Sequence, residues 1–425
     1  MDVLSKLTRD HSTDAAGDVG TEAGPDWDLG LLISVFLLLG LGVVMVYSAS
    51  AVIASQRMTG HDVLLFGQVE NILIGTVALL VGLQIDYRWY RRLVYPILGV
   101  STLFLILVTI PGIGRMEHGA RRWIDLAGFG FQPAEMAKLT AVMFLAYSIS
   151  KKGKRMGSFT IGFIPHLLII GGLVGLLMLQ PDFGTSVMLV ALMMILLFVS
   201  GAKLSYLFLV SLAGSVVAYF AISGSEYRVR RILAFLDPWS HRQDIGYQIS
   251  ESLIAIGSAG LSGVGLGEGA GKLGYVPELW NDFIGTIVAE ELGLAGIVVV
   301  VGLFLFILWR GYRIAFDSVD AFGLYLAFGI TSMFGLQAMA NLFVVTGMLP
   351  TKGLTLPFVS FGGTSIIVGM FAVGILLNIS RREPDWWEVR RDEREARKKQ
   401  KQWKKKRKRI LKRRDDLQPP STDGD

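Results

Sequence analysis

Three carboxylates stand where an apolar helix begins. Asp282, Glu290 and Glu291 close a polar, glycine-rich segment running from about Tyr227, and they enter an apolar run in the order NDF…AEELG. A carboxylate in or beside a membrane span is costly unless it meets water, a partner or a substrate, so it marks a functional site by default. Asp282 has two readings. At the outer end of a helix it would complement the positive N-terminus as a cap, or it would act as general base at a membrane-surface active site. Spacing alone leaves both open.

Other charged residues could join it. In GARRWIDLAGFGFQPAEMAKL, Gly119 to Leu139, Pro133 sits at a permitted first helical position. Glu135 and Lys138 then share one helical face. They form either a buried ion pair that locks two helices or part of a polar site. Arg121 and Arg122 precede them, and guanidinium forks suit pyrophosphate oxygens. In QPDFGTS, Gln180 to Ser186, Asp182 reads as a helix cap in preference to a catalytic group. Lys272 lies in the glycine-rich segment, and Lys352 lies in GMLPTKGLTLPFVSFGGTS, Gly347 to Ser365. The glycine pattern is no nucleotide loop, since no strand precedes it and no GKS/T follows. Two prolines break the last motif, and irregular backbone at membrane depth survives only where it lines a cavity or protein interior.

The elements that must position these groups are apolar helices. Of 425 residues, 52% are hydrophobic and 18% charged, with mean hydropathy +0.51; soluble domains carry about 25% charged residues. The chain has no cysteine, which excludes disulfides and thiolate chemistry, and its five histidines show no metal-ligand spacing. Runs near the ~20 residues that cross a bilayer fall at about 29–53, 71–85, 93–113, 133–149, 161–179, 183–200, 204–222, 283–310, 322–346 and 355–379. The expected fold is therefore an all-α polytopic membrane protein of ten transmembrane helices, with a large extracytoplasmic loop between the seventh and eighth. Amphipathic helices are expected within that loop, lying at the interface.

Charge sets the orientation. With the N-terminus inside, Arg88, Arg91, Arg92, Lys151, Lys152, Lys154, Arg155, Lys203, Arg310 and Arg313 all fall on cytoplasmic turns, as the positive-inside rule requires. The basic exceptions outside, Arg115–Arg122 and the long loop, point to an anionic ligand, or to local carboxylate partners such as Glu117 and Asp125. Residues 1–27 form a polar, rather acidic cytoplasmic tail without the features of a secretory signal. Residues 28–380 form the membrane domain, with 226–282 as the large outer loop. Residues 381–425 hold 18 Lys+Arg against 10 Asp+Glu, a basic cytoplasmic tail suited to anionic lipid rather than nucleic acid.

GARRWI, QPAEMAKL, QPDFGT, RRILAFLDPW, the VPELWNDF…AEELG run and LPTKGLTLPFVSFGGTS occur in that order. Together they resemble the SEDS family of polytopic membrane proteins over roughly Asp28 to Arg382, and the last motif is most similar to the division-associated FtsW branch. The resemblance implies ten spans and peptidoglycan glycosyltransferase activity on lipid II at the outer face of the cytoplasmic membrane. It implies Asp282 as the catalytic carboxylate, Lys272 as the conserved loop lysine, and Glu135 and Lys138 as the family's QPSE-type pair. Departures from the pattern are Asn281 before Asp282, Gly269 and Gly271 ahead of Lys272, Glu251 in the GYQ helix, and Phe361 and Thr364 in FGGT.

On this basis Asp282 takes the proton of the acceptor 4-hydroxyl while Arg121, Arg122, Lys272 and Lys352 offset the undecaprenyl pyrophosphate. Glu135, Lys138, Glu290 and Glu291 are supporting intramembrane polar residues, the last two more structural than catalytic. No cofactor is evident, although a divalent cation (Mg or Mn) could assist. A class B penicillin-binding protein, other divisome proteins and a septal location are implied. The rival functions are a lipid II flippase, whose charges would be spaced through the membrane, and a non-catalytic division scaffold.

Overall fold

A computed structural model describes residues 27–57, 62–117, 119–126, 128–269, 280–351 and 353–381. Among them are twelve α-helices: α1 (Leu29–Arg57), α2 (Asp62–Gln84), α3 (Tyr87–Leu107), α4 (Pro133–Lys152), α5 (Ile164–Leu179), α6 (Phe183–Val199), α7 (Leu204–Ser223), α8 (Glu226–Leu236), α9 (Tyr247–Ala259), α10 (Ile284–Phe316), α11 (Ala321–Val345) and α12 (Gly363–Ser380). Among the described residues, eight helices are long and apolar enough to cross a membrane. Of the other long helices, α6 has 17 residues, and α4 carries Glu135, Lys138, Lys151 and Lys152. The architecture is that of a helical polytopic membrane protein. Both terminal tails lie outside the described residues.

Two contacts define the long axis. Asp28 receives Arg310 through Nη2 at 2.7 Å and Nε at 2.8 Å, while Ser48 donates to Glu291 Oε1 at 2.6 Å. Ser48 lies about 20 residues beyond Asp28, roughly 30 Å along a helix rising 1.5 Å per residue. Helices α1 and α10 are therefore antiparallel, with Asp28 and Glu291 at opposite ends of the pair. The second end, which also holds Asp282, is called here the Asp282 end.

Several sequence-based boundaries shift. Residues 114–131, expected as loop within an all-α fold, form an antiparallel sheet of order β1 (Gly114–Glu117), β2 (Ala120–Leu126) and β3 (Phe129–Phe131). Gly119 and Gly128 turn its corners at φ 78° and 90°, conformations that glycine adopts without penalty. The Arg88, Arg91 and Arg92 group lies in the first turns of α3, not in a loop, because Asp86 caps that helix by accepting from Arg88 N at 2.9 Å. The last long helix starts at Gly363 rather than near 355. Phe358 is held at φ 65°, an outlier for a bulky residue, so 355–362 cannot continue the helix.

The helix bearing Glu290 and Glu291 is not continuous. At Gly293 (φ 66°, ψ −160°) α10 breaks, freeing backbone groups that must find other partners. Val264 N and Gly265 N donate to Glu290 O (3.0 Å) and Glu291 O (3.1 Å), and Leu294 N and Ala295 N donate to Gly260 O and Leu261 O at 3.2 Å. The segment after α9 thus straps the break. A Cβ at Gly293 would lie 2.6 Å from Leu261 O.

Candidate active site at the Asp282 end

Five motif segments far apart in sequence converge here. Gln132 N donates to Thr364 Oγ1 at 2.9 Å, and Thr364 Oγ1 donates to Gly130 O at 3.1 Å, joining the QPAE entry to the start of α12. Arg122 donates through Nε to Gln180 O (3.1 Å) and through Nη2 to Pro181 O (2.7 Å), joining the sheet to the QPDFGT turn. Arg231 of α8 donates to Thr351 O at 3.2 Å. Phe361 N donates to Trp280 O at 2.8 Å, which draws the FGGT segment against the approach to Asp282.

Asp282 lies at this end, beside the segment that carries Gly353 and Leu354. It is part-exposed, whereas Phe283 beside it is 2% exposed. Phe283 is the N-cap of α10 and contributes no side-chain cap, so Asp282 stands just outside the helix. Its carboxylate lies against Gly353: a Cβ there would be 3.3 Å from Asp282 Oδ2. Glycine leaves room for that oxygen beside a broken, glycine-containing loop. Asp182, by contrast, is the cap that its motif suggested, accepting from Thr185 N at 3.1 Å and Thr185 Oγ1 at 2.8 Å.

Glu135 and Lys138 form a pair at 2.8 Å, with Lys138 only 1% exposed. Lys138 also donates to Gln337 Oε1 at 2.8 Å. Gln337 Nε2 donates in turn to Thr355 O (3.0 Å) and Thr355 Oγ1 (3.1 Å), which lies 3.1 Å from Ser365 Oγ. One turn further along α11, Asn341 Nδ2 donates to Asp282 O at 2.8 Å and Leu354 O at 2.7 Å. A small pocket opens beside this network between Glu135, Lys138, Gln337, Phe358 and Ser365. Gln337 and Asn341 were not singled out from sequence. Their signal was two amides four residues apart in an otherwise apolar helix, one stripe by helical geometry.

The basic residues of this end are mostly engaged. Arg115 pairs with Glu117, Arg230 with Asp244 at 3.3 Å, and Arg242 with Glu251 at 2.9 Å. Arg228 donates to Ala221 O at 2.6 Å. Asp125 accepts from Gly128 N at 2.8 Å within its own turn. Local partners thus account for most of the charge that seemed to call for an anionic ligand. Arg121 and Arg122 flank a register irregularity in the β1–β2 pairing, Met116 facing Arg121 and Arg115 facing Trp123, where simple strand alternation does not hold; the Arg122 guanidinium is engaged by the Gln180 and Pro181 carbonyls. No hydrogen bond or ion pair engages the Arg121 guanidinium among the described residues. Lys272 and Lys352 lie outside the described residues. Gly269, three residues before Lys272, lies against Glu290, whose Oε2 would be 2.9 Å from a Cβ there. Among the described residues, no group of three or more His, Cys, Asp and Glu side chains could hold a metal ion, and no step is assigned to one.

The class is therefore a polytopic helical membrane protein whose interrupted loops gather at the end that carries the part-exposed Asp282. Residues 29–384 match the cell cycle protein family of FtsW, RodA and SpoVE, and the chain belongs to that family. Among its relatives is a Trichlorobacter lovleyi protein named probable peptidoglycan glycosyltransferase FtsW. It is 44% identical over 355 residues, covering 84% of this chain and 93% of the relative. Stage V sporulation protein E of Bacillus subtilis is 40% identical, covering 83% and 97%. Among solved structures, a chain described under structural coordination of polymerization and crosslinking by a peptidoglycan synthase complex superimposes with TM-score 0.72 at 28% identity, covering 84% and 99%. RodA of Thermus thermophilus superimposes with TM-score 0.63 at 28% identity, covering 84% and 98%.

Proposed function

We infer that this chain is a peptidoglycan glycosyltransferase of cell division that polymerises lipid II with Asp282 as its base. The observation carrying the inference is that five motif segments are tied together at the end of the bundle that bears the part-exposed Asp282 carboxylate. In the reaction, the acceptor 4-hydroxyl gives its proton to Asp282 as its oxygen bonds to the donor anomeric carbon. The bond from that carbon to the pyrophosphate oxygen breaks, and its electron pair leaves with undecaprenyl pyrophosphate. Arg121 is the described cation available to offset that charge, as preorganised cations do for departing phosphates. Lys272 and Lys352 complete the cationic set; Lys352 adjoins Gly353, against which the carboxylate lies.

The same reading makes the ten long helices ten spans and places the Asp282 end outside. In support, the five cation–π pairs among the described residues, such as Arg92 over Trp89 at 5.1 Å and Arg310 over Trp309 at 5.5 Å, all fall at the opposite end. Interfacial aromatic residues mark a membrane boundary, and the lysines and arginines beside them mark it as the cytoplasmic one. Both tails are then cytoplasmic, the basic one lying against anionic lipid, and the protein works at the septum with a class B penicillin-binding protein and other divisome components. Glu135, Lys138 and Glu291 satisfy one another or near neighbours at the Asp282 end. Charges strung through to the other end would have favoured a flippase.

The test is polymerisation of labelled lipid II by the full chain, with and without the transpeptidase. Asp282→Asn should abolish glycan strands while leaving the folded protein intact. Full-rate polymerisation by that variant would refute the base assignment.

A further inference from the structure

The Asp282 peptide is itself in need of a partner. Thr286 N donates to Phe283 O at 2.9 Å, so the α10 ladder begins after Asp282 and leaves the Asp282 carbonyl outside it. That carbonyl is met by Asn341 Nδ2 at 2.8 Å, from a helix 59 positions further along the chain. The second N–H of the same amide meets Leu354 O at 2.7 Å. A carboxamide nitrogen has two donors, and both are used. Asn341 is 1% exposed, and its Oδ1 is buried with no hydrogen-bond partner. The acceptor half of the side chain thus gains nothing here, while the donor half makes two bonds. Gln337, one turn away, reads the next carbonyl, Thr355 O, at 3.0 Å.

We propose that Asn341 is a positioning residue for catalysis: its amide crosslinks the Asp282 and Leu354 carbonyls and so fixes the base against the interrupted 351–362 segment. The inference rests on Asp282 being the base. α11 then acts as a straight edge against which two otherwise unladdered segments are registered. Neighbouring Gly353 receives the Asp282 carboxylate, so a shift of Leu354 moves the wall beside the reacting oxygen. Misplacement by an ångström or less suffices to cost a reaction a large factor when attack geometry is tight.

The experiment measures lipid II polymerisation rate against substrate concentration, and thermal unfolding, for the full chain in lipid nanodiscs. Asn341→Leu removes both donors at similar volume, and Asn341→Ser keeps one. Asn378→Leu is the comparison, because Asn378 also bridges backbone by part-buried amide bonds, from Tyr87 N (2.9 Å) and to Leu83 O (2.8 Å), at the far end of the bundle. Asn341→Leu should lower kcat at least tenfold with KM changed less than twofold, with Asn341→Ser intermediate. Asn378→Leu should lower the unfolding temperature with kcat unchanged. Should Asn341→Leu fail to fold, Asn341→Ser carries the test with the same split between kcat and KM. Wild-type kcat in the donor-poor variants, or equal kcat losses at Asn341 and Asn378, would overturn positioning while an inactive Asp282→Asn leaves the base assignment standing. An active Asp282→Asn would remove both.

Discussion

Lys138→Met gives the sharpest test of what holds the site together. Lys138 is 1% exposed, bonded at 2.8 Å to both Glu135 and Gln337. Exposed pairs are worth about 0–1 kcal/mol, but this one is shut away from solvent. Methionine replaces the stem and deletes the ammonium, leaving the Glu135 carboxylate, itself 9% exposed, facing an unanswered Gln337 carbonyl oxygen. Breaking a buried pair from one side costs about 3–5 kcal/mol. At 1.4 kcal/mol per tenfold, that is roughly two to four orders of magnitude in the folding equilibrium. Replacing both partners removes the stranded charge. Glu135→Met with Lys138→Met should therefore recover most of the loss, short by the ~1–3 kcal/mol of leaving Gln337 Oε1 without a donor. Denaturant-induced unfolding in mixed micelles of wild type, both single variants and the double variant measures the cycle. A single-variant loss below about 1 kcal/mol, or a double variant as damaged as Lys138→Met, would refute the buried-pair reasoning.

Two further outcomes follow from local geometry. Gly293→Ala forces a side chain into a positive-φ, extended-ψ backbone that is essentially glycine-only, costing about 1–3 kcal/mol, and drives its Cβ into the strap at Leu261 O, 2.6 Å away. Amide exchange at Val264 and Gly265 should accelerate, whereas Gly302→Ala, on the same helix with open space around it, should leave exchange and stability unchanged. Asp237, fully exposed after α8, is held below its ordinary value of 3.8 because the Ser240 hydroxyl donates to its carboxylate. A depressed folded pKa means that its contribution to stability is present above 3.8 and fades as pH falls through the lower folded value. Carbon-13 titration of Asp237 should move upward in Ser240→Ala; an unmoved midpoint would exclude the hydroxyl as the cause.

Much of the site was legible before folding because its chemistry is local. Pro133 opens α4, Asp182 caps α6, and Glu135 and Lys138 meet because three residues apart on a helix is contact distance. What misled was also local. The outer arginines left an anionic ligand open beside local partners such as Glu117, because sequence could not place Asp244, Glu251 or the carbonyls of Gln180 and Pro181. Arg121 and Arg122 read alike in sequence, whereas the fold places the Arg122 guanidinium on the Gln180 and Pro181 carbonyls. Glu290 and Glu291 looked embedded in a continuous span because hydropathy does not register a single glycine at φ 66°.

By itself the sequence determined the class of protein. Apolar runs of membrane-spanning length, the bias of lysine and arginine to one side, and a few polar interruptions dictate helices in lipid, since only such segments satisfy their own backbone there. Tertiary structure alone decided which interruptions share a place. Asn341 meets Asp282 across 59 positions, and Gln132 meets Thr364 across 232. No periodicity encodes such separations, because they depend on how helices stack and on which carbonyls each break leaves in need of a donor.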